Sequence, residues 1–341
     1  MKDSDLIIST RSLEEEGEEN LETSVEIEWR TWVVSEALHG FRLDRALAEL
    51  VPEFSRNYLQ QLIETGAVAQ GQRLLTKPSM KVKAGDHGLI ELRPTPQSQA
   101  FKPEPMALET VFVDEYLRVI NKPAGLVVHP APGNWSGTLL NGLLAIDPKA
   151  VSLPRAGIVH RLDKDTSGLM VIARTRLAMD AMVHMIAERS VSRQYVALAH
   201  RPWVGPDAVD VEQAIGRDPK NRLRMSVVDL EHQSGKTAKT RFELLRNTEE
   251  GCLLRCTLFT GRTHQIRVHA AHIAHPLLAD GVYGGSAAAG MTRQALHAYR
   301  LAFEHPVTGE SMVFSAPLPA DMTLALENWG LGYNGQKRDW Y

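Results

Sequence analysis

The stretch HRLDKDTSGLMVIART, residues 160–175, decides how the rest of the chain is read. It sets Arg161, Asp163, Lys164 and Asp165 beside Thr166 and Ser167, directly ahead of the apolar run GLMVIA. That run predicts a buried strand over 168–173, so the charged residues stand at the mouth of a strand. A solvated turn needs one or two such groups. The bland reading is a salt-bridged turn, and only the surrounding sequence separates it from a working site.

Downstream, RLAMDAMVHMIAER (176–189) carries Leu177, Met182, Met185 and Ile186 among the apolar positions of an amphipathic helix. RQYVALAH reads as a strand. TRFELLRN and CLLRCTLF, parted by Thr248-Glu249-Glu250-Gly251, predict a hairpin, and GRTHQIRVHAAHIAH opens a helix. Upstream, LETVFVDEYLRVINKP gives two strands around a turn at Asp114-Glu115. Hairpins outnumber βαβ units, so residues 107–328 are expected to be α+β, a mixed, largely antiparallel sheet with flanking helices. A smaller unit is expected over 29–93. There FRLDRALAELV spaces Leu43, Ala46, Leu47 and Leu50 as a helix does, and Ser55 caps RNYLQQLIET, which stops at Gly66. AVAQ and KVKAGDHGLIEL add strands, with turns at Gln70-Gly71 and Gly85-Asp86. The proline-rich segment 94–106 reads as an extended linker, and 329–341 as a tail.

With 341 residues, 43% of them hydrophobic and 23% charged, the chain has the make-up of a soluble two-domain protein. It opens on no apolar leader, and no run is long enough to span a membrane. The two cysteines, Cys252 and Cys256, make no disulfide framework, which predicts a reducing, cytoplasmic home. The net charge of −3 conceals an asymmetry. Residues 1–28 hold ten acids against Lys2 and Arg11, a local −8, which leaves +5 for the remainder. So acidic a head, poor in aromatics, predicts disorder. The basic body permits an anionic partner.

Cofactor motifs fail one by one. Cys252 and Cys256 stand four apart on a strand, about 13 Å from each other, too far to share a zinc ion. His269 and His272 share a helical face, but no glutamate completes H-E-x-x-H; surface or core histidines are the better reading. GVYGGSAAAG (281–290) has neither Gly-Lys-Ser/Thr nor G-x-G-x-x-G and reads as a flexible loop. No G-x-S-x-G elbow marks a serine hydrolase. Three stretches remain: the opening one, the Arg-Gln-Tyr of 193–195, and TGRTHQIRVH (260–269) with Arg262, His264 and Arg267. Each alone is ordinary packing or a basic patch. Together they give a carboxylate, an aromatic ring and several fixed cations, an inventory suited to an anionic substrate with a flat ring. A carboxylate kept ionised by an arginine can act as a nucleophile.

At this point a resemblance becomes specific. HRLDKDTSG resembles the H-R-L-D-x-x-T-S-G signature of the RluA-type RNA pseudouridine synthases, SRQY their R-x-Y element, and GRTHQIRVH their third motif. NKPAGLVVHP (121–130) and RQALHAYRLAFEHPVTGE are similar to further segments, so that the likeness covers roughly 109–325. FRLDRAL, SRNYLQQLIETG and KVKAGD resemble the S4 RNA-binding fold, a combination that points to the RluD-type branch acting on large-subunit ribosomal RNA. Two departures stand out: Ala69-Gln70-Gly71 where Val-Asn-Gly is common, and a short loop between Tyr283 and Arg293.

The resemblance selects Asp163 over Asp165 as the nucleophile, which local chemistry leaves open. It implies that Asp163 attacks C6 or C1′ of a flipped-out uridine, with no metal or cofactor. Arg267 would pair with that carboxylate, Tyr195 would stack on the uracil and help move the C5 proton, and Ile266 would face the ring's other side. Arg161 would fill the gap left by the flipped nucleotide. Lys122, Arg262 and His264 are expected at phosphates or the pocket wall. In the S4-like unit Arg42, Arg45, Arg56, Lys81 and Lys83 are expected to form a phosphate-binding face. The implied partner is ribosomal RNA, met as a monomer, with transfer RNA as an alternative substrate. A non-catalytic RNA-binding assembly factor and a carboxylate-dependent hydrolase are the rival classes.

Overall fold

The computed structural model describes residues 28–93, 98–131, 133–221 and 224–331. The acidic head up to residue 27, and the tail from 332 onward, lie outside the described residues. The chain divides into two compact units on either side of Thr95 and Pro96.

The described residues of the first unit start at Glu28, which belongs to strand β1 (Glu28–Val33) and not to the acidic head. Helices α1 (Leu43–Leu50) and α2 (Arg56–Glu64) follow, then β2 (Val68–Gln70), β3 (Arg73–Leu74) and β4 (His87–Leu92). The predicted cap is present: the Ser55 hydroxyl accepts from the Tyr58 N–H at 3.2 Å. Leu43, Ala46 and Leu47 of α1 and Leu59, Leu62 and Ile63 of α2 are buried against Trp32, Val68 and Ile90 of the sheet, as their spacing demands. The sheet order β1-β4-β2-β3 puts β1 beside β4, a long-range pairing that the sequence reading did not foresee.

In the second unit the segment after Gln97 is not an extended linker. Residues 98–101 form a 3-10 turn, and Asn141 holds it by donating to the Ala100 and Lys102 carbonyls. Glu104 then accepts from the Gly137 N–H at 2.7 Å. These contacts explain why a proline-rich stretch is ordered here: its carbonyls are claimed by a buried side chain. The elements then run β5 (Glu109–Val113), β6 (Leu117–Lys122), α3 (Leu139–Ile146), β7 (Ser167–Ala173), α4 (Arg176–Ala187) and β8 (Ser192–His200). Four short strands follow, β9 (Ala208–Val211), β10 (Ile215–Arg217), β11 (Met225–Val227) and β12 (Gly235–Lys236). The hairpin β13 (Thr240–Asn247) and β14 (Gly251–Leu258), helix α5 (Gln265–His272), β15 (Leu296–Glu304), β16 (Ser311–Ser315) and helix α6 (Ala320–Asn328) complete it.

A nine-stranded sheet runs β5-β6-β7-β15-β8-β14-β13-β9, with β16 on β15. Among the described residues its one parallel pair is β7 with β15. The alternation of each strand divides the core in two. Met170, Ile172, Tyr195 and Ala197 face α3 and α5, while Leu169, Val171, Val196 and Leu198 face α4 or α6. Every residue of β7 is buried, which is why it reads as an unbroken apolar run rather than an alternating one. In α4 the inward positions are Ala178 and Met182, whereas Leu177 is 63% exposed. Gly168 makes the β7–β15 junction possible. Its φ is +117°, and a Cβ there would lie 2.3 Å from the Ala298 carbonyl oxygen. Only glycine fits.

Candidate active site

The opening stretch answers its own question once the loop is followed atom by atom. Leu162 is buried in the core, which turns Asp163 toward the cavity beside it and leaves Lys164 in solvent. Three successive carbonyls of the loop are then taken. Asp163 O accepts from the Thr166 N–H at 3.1 Å, Lys164 O from the Gly125 N–H at 2.9 Å, and Asp165 O from Arg293 Nη1 at 2.9 Å. Lys122 also donates to Lys164 O at 3.0 Å, and to Pro123 O and Leu126 O at 2.8 and 2.9 Å. Expected at a phosphate or the pocket wall, Lys122 is instead fully buried, a post under the loop. Burial pushes its amine down to about 8, against the pull of Asp165 and Asp163.

Helix α5 brings the opposing cation. The Gln265 side chain ties the loop ahead of α5 to β13, accepting from Thr260 Oγ1 and the Arg262 N–H and donating to Lys239 O and Thr240 Oγ1. His264 takes the left-handed conformation, φ 58°, and Arg267 projects from the first turn. Arg267 Nη1 donates to Asp163 Oδ2 at 3.1 Å. Its Nε and Nη2 donate to Asp280 at 2.7 and 2.8 Å, a fork that fixes the guanidinium plane. The Tyr283 ring lies 5.0 Å beneath that guanidinium, and the Tyr283 hydroxyl pairs with His264 Nδ1 at 2.8 Å. His264 Nε2 stands 3.9 Å from Asp163 Oδ1. Burial holds the His264 imidazole below its usual value despite the nearby carboxylate.

Asp280 and Tyr283 were missed by the sequence reading. They sit in and beside the glycine-rich run that reads as a flexible loop, yet Asp280 is 1% exposed and anchors the site. The acid-x-x-Tyr spacing beside glycines was the available signal. The loop is fixed, not free: the Gly285 N–H donates to Asp280 O, and the Met225 N–H to the Tyr283 hydroxyl.

Asp163, Arg267, His264, Tyr195 and Ile266 line one cavity of about 390 Å³, and Arg161 and Arg262 reach it from the rim. Tyr195 and Ile266 are buried in the same core cluster. Burial pushes the Tyr195 phenol up to about 12, so it holds its proton at neutral pH. Arg161 is exposed, and Arg262 Nε donates to Thr237 O at 3.1 Å. In the first unit, Arg42 and Arg56 are half exposed, but both donate to the fully buried Asp44. Burial alone would raise that carboxyl; hydrogen bonds from Arg42, Gln60 and Arg56 hold it well below the usual range. Arg45 lies over the Phe41 ring at 4.5 Å, and Lys81 and Lys83 are exposed.

Elsewhere the ordinary readings hold. His269 is a core histidine joined to Thr240 Oγ1 and Gln213 O, and His272 is exposed. Both cysteines are buried, and burial pushes the Cys252 thiol up to about 12. Among the described residues one cluster has chelating reach, Asp229, Glu231 and His232. All three are exposed, and their mutual hydrogen bonds close a surface turn.

Residues 116–272 match the sequence profile of RNA pseudouridylate synthase, and residues 41–87 that of the S4 domain. A ribosomal large subunit pseudouridine synthase D of Neisseria meningitidis serogroup B is 48% identical over 296 residues, 84% of this chain and 78% of that one. The protein of the same name from Nitrosomonas europaea is 42% identical over 319 residues, 91% of this chain and 89% of that one. Among solved structures, human RNA pseudouridylate synthase domain containing 4 superposes with a TM-score of 0.52 at 25% identity, covering 65% of this chain and 93% of that one. Relatives this similar over most of both chains, matched by a cavity built around the signature aspartate, make the chain a member of the RNA pseudouridylate synthase family.

Proposed function

We propose that this RNA pseudouridine synthase converts uridines of large-subunit ribosomal RNA to pseudouridine, with Asp163 as the nucleophile. One observation carries the reading: the Asp163 carboxylate faces a cavity and is fixed there by a single N–H of an arginine whose other donors are held by Asp280. Asp163 attacks C6 of the base or C1′ of the ribose, the glycosidic bond breaks, and the uracil turns so that C5 bonds to C1′. Loss of the C5 proton and cleavage of the Asp163 adduct bond then leave pseudouridine and the free carboxylate. Tyr195 and Ile266 sandwich the ring. A phenol near 12 supports stacking first; to accept the C5 proton it must already have passed its own on. Arg161, exposed at the rim, replaces the flipped nucleotide in the RNA stack. Arg262 and His264 hold the wall, and the first unit supplies the RNA anchor. In this reading the protein works as a monomer in the cytoplasm, without metal or cofactor.

Tritium release from C5-labelled uridine in ribosomal RNA tests it. The intact protein is expected to release tritium, and Asp163→Asn to bind the same RNA and release none, because an amide cannot form the covalent adduct. Release by Asp163→Asn, or loss of release only on changing Asp165, would overturn the assignment. Release from transfer RNA alone would move the substrate.

A further inference from the structure

Arg193 is the second residue of β8, two before Tyr195, so both side chains leave one face of the strand. It lines the same cavity as Asp163 and Tyr195 and is 6% exposed. Among the described residues no carboxylate pairs with it and nothing accepts from its guanidinium, whose Nε is wholly buried. Other guanidinium groups of this unit with little exposure are answered by carboxylates: Arg267 by Asp163 and Asp280, Arg174 by Asp147, Arg293 by Asp321. Arg255, whose Nε is also buried without a partner, is answered by Glu243 at 3.8 Å. A buried cation with no counter-group is destabilising, and a fold keeps it only where something else completes it. Space has been left for it. A Cβ on Gly261 would lie 2.9 Å from Arg193 Nη1, so a side chain at that position would push the guanidinium aside.

What completes it follows from depth. Phosphates stay joined to their neighbours and remain at the mouth, where Arg155, Arg161 and Arg189 are exposed. The part of a flipped nucleotide that reaches a nearly closed wall beside Tyr195 is the base, and uracil presents carbonyl oxygens at C2 and C4. We propose that Arg193 donates to a carbonyl oxygen of the flipped uracil, holding the ring against Tyr195. The inference rests on the pseudouridine synthase reading above. Contact at C4 also excludes cytosine, whose amino group would meet the guanidinium donor to donor. The contact strengthens as negative charge develops on a detached uracil, so it favours the reaction's progress over ground-state binding.

Arg193→Met and Arg193→Lys test this with single-turnover rates, RNA affinity and denaturation curves. Arg193→Met is expected to bind RNA as before, to react roughly 10- to 100-fold more slowly, and to unfold at a higher midpoint, because an apolar chain replaces an unpaired buried charge. Arg193→Lys should recover part of the rate. RNA carrying 2-thiouridine or 4-thiouridine at the target then names the atom: sulfur at the contacted carbonyl slows the intact enzyme and leaves Arg193→Met unchanged. A methylphosphonate at the target nucleotide should slow both proteins alike. The proposal is overturned by a normal rate or a lowered midpoint in Arg193→Met, by thio effects equal in both proteins, or by a methylphosphonate that erases their difference. Inactivity of the intact protein on unmodified RNA would instead remove the parent reading, and is seen before any variant is compared.

Discussion

Arg267 divides one guanidinium between two acids, and the division changes what its removal does. On sequence grounds Arg267→Ala leaves only Asp163 uncompensated, in a pocket open enough to soften the loss. The structure adds Asp280, 1% exposed and held through two N–H donors. Stranding a buried carboxylate costs about 3–5 kcal/mol, so Arg267→Ala is expected to lose stability as well as activity. Arg267→Ala combined with Asp280→Asn removes the stranded charge and should regain most of that stability while staying inactive. Denaturant unfolding beside tritium release separates the two effects. A double variant as unstable as the single one would mean that Asp280 does not depend on Arg267.

At the scale of elements, the sequence was legible where a signal is local. β7, the β13–β14 hairpin, the Ser55 cap and the α+β class all follow from periodicity and turn residues within a dozen positions. It was illegible where partners are distant. Nothing near Lys122 says that its ammonium props the Asp163 loop, and nothing in GVYGGSAAAG says that Tyr283 lies under Arg267. β7 shows the same limit. His160 Nε2 accepts from the Val171 N–H, and His297 Nδ1 pairs with Ser167 Oγ, so one half-buried and one buried histidine pin the strand behind the Asp163 loop. Burial, then the charge of Arg193, pushes His160 down to about 3; burial pushes His297 down to about 4. An unfolded histidine titrates near 6.5, so below that pH the unfolded chain binds protons that the folded one refuses. The contribution is complete above about pH 6.5 and declines as pH falls toward 4, by roughly 1.4 kcal/mol per pH unit for each histidine. Carboxylates act in the same sense, so the comparison that isolates the effect is His297→Gln against the parent between pH 7 and 4.5. Its stability should fall less steeply by about one proton; parallel curves would show that His297 is not buried neutral.

The whole molecule carries its charge in two parts of opposite sign, which are expected to act on RNA in opposite directions. Residues 1–28 hold a net −8, the remainder +5. Of the cations expected to face phosphate in the first unit, Arg42 and Arg56 already serve the buried Asp44, with about half of each side chain exposed. Lys81 and Lys83 carry no such obligation in the described structure and lie in solvent. Arg56→Ala should therefore weaken RNA binding and also destabilise the unit, whereas Lys81→Ala and Lys83→Ala should each only lower the slope of log affinity against log salt, by about 0.7–0.9. Two truncations separate the parts. Removing residues 1–27 takes away negative charge and is expected to tighten RNA binding at low salt. Removing residues 1–95 takes the anchor as well and should weaken binding and flatten the salt dependence by about 2–4, while residues 98–331 keep their own core clusters. Binding measured from 50 to 300 mM salt on one ribosomal RNA fragment reads both. A slope unchanged by the longer truncation would mean that the first unit anchors something other than the RNA backbone, and that the Asp163 unit alone makes the phosphate contacts.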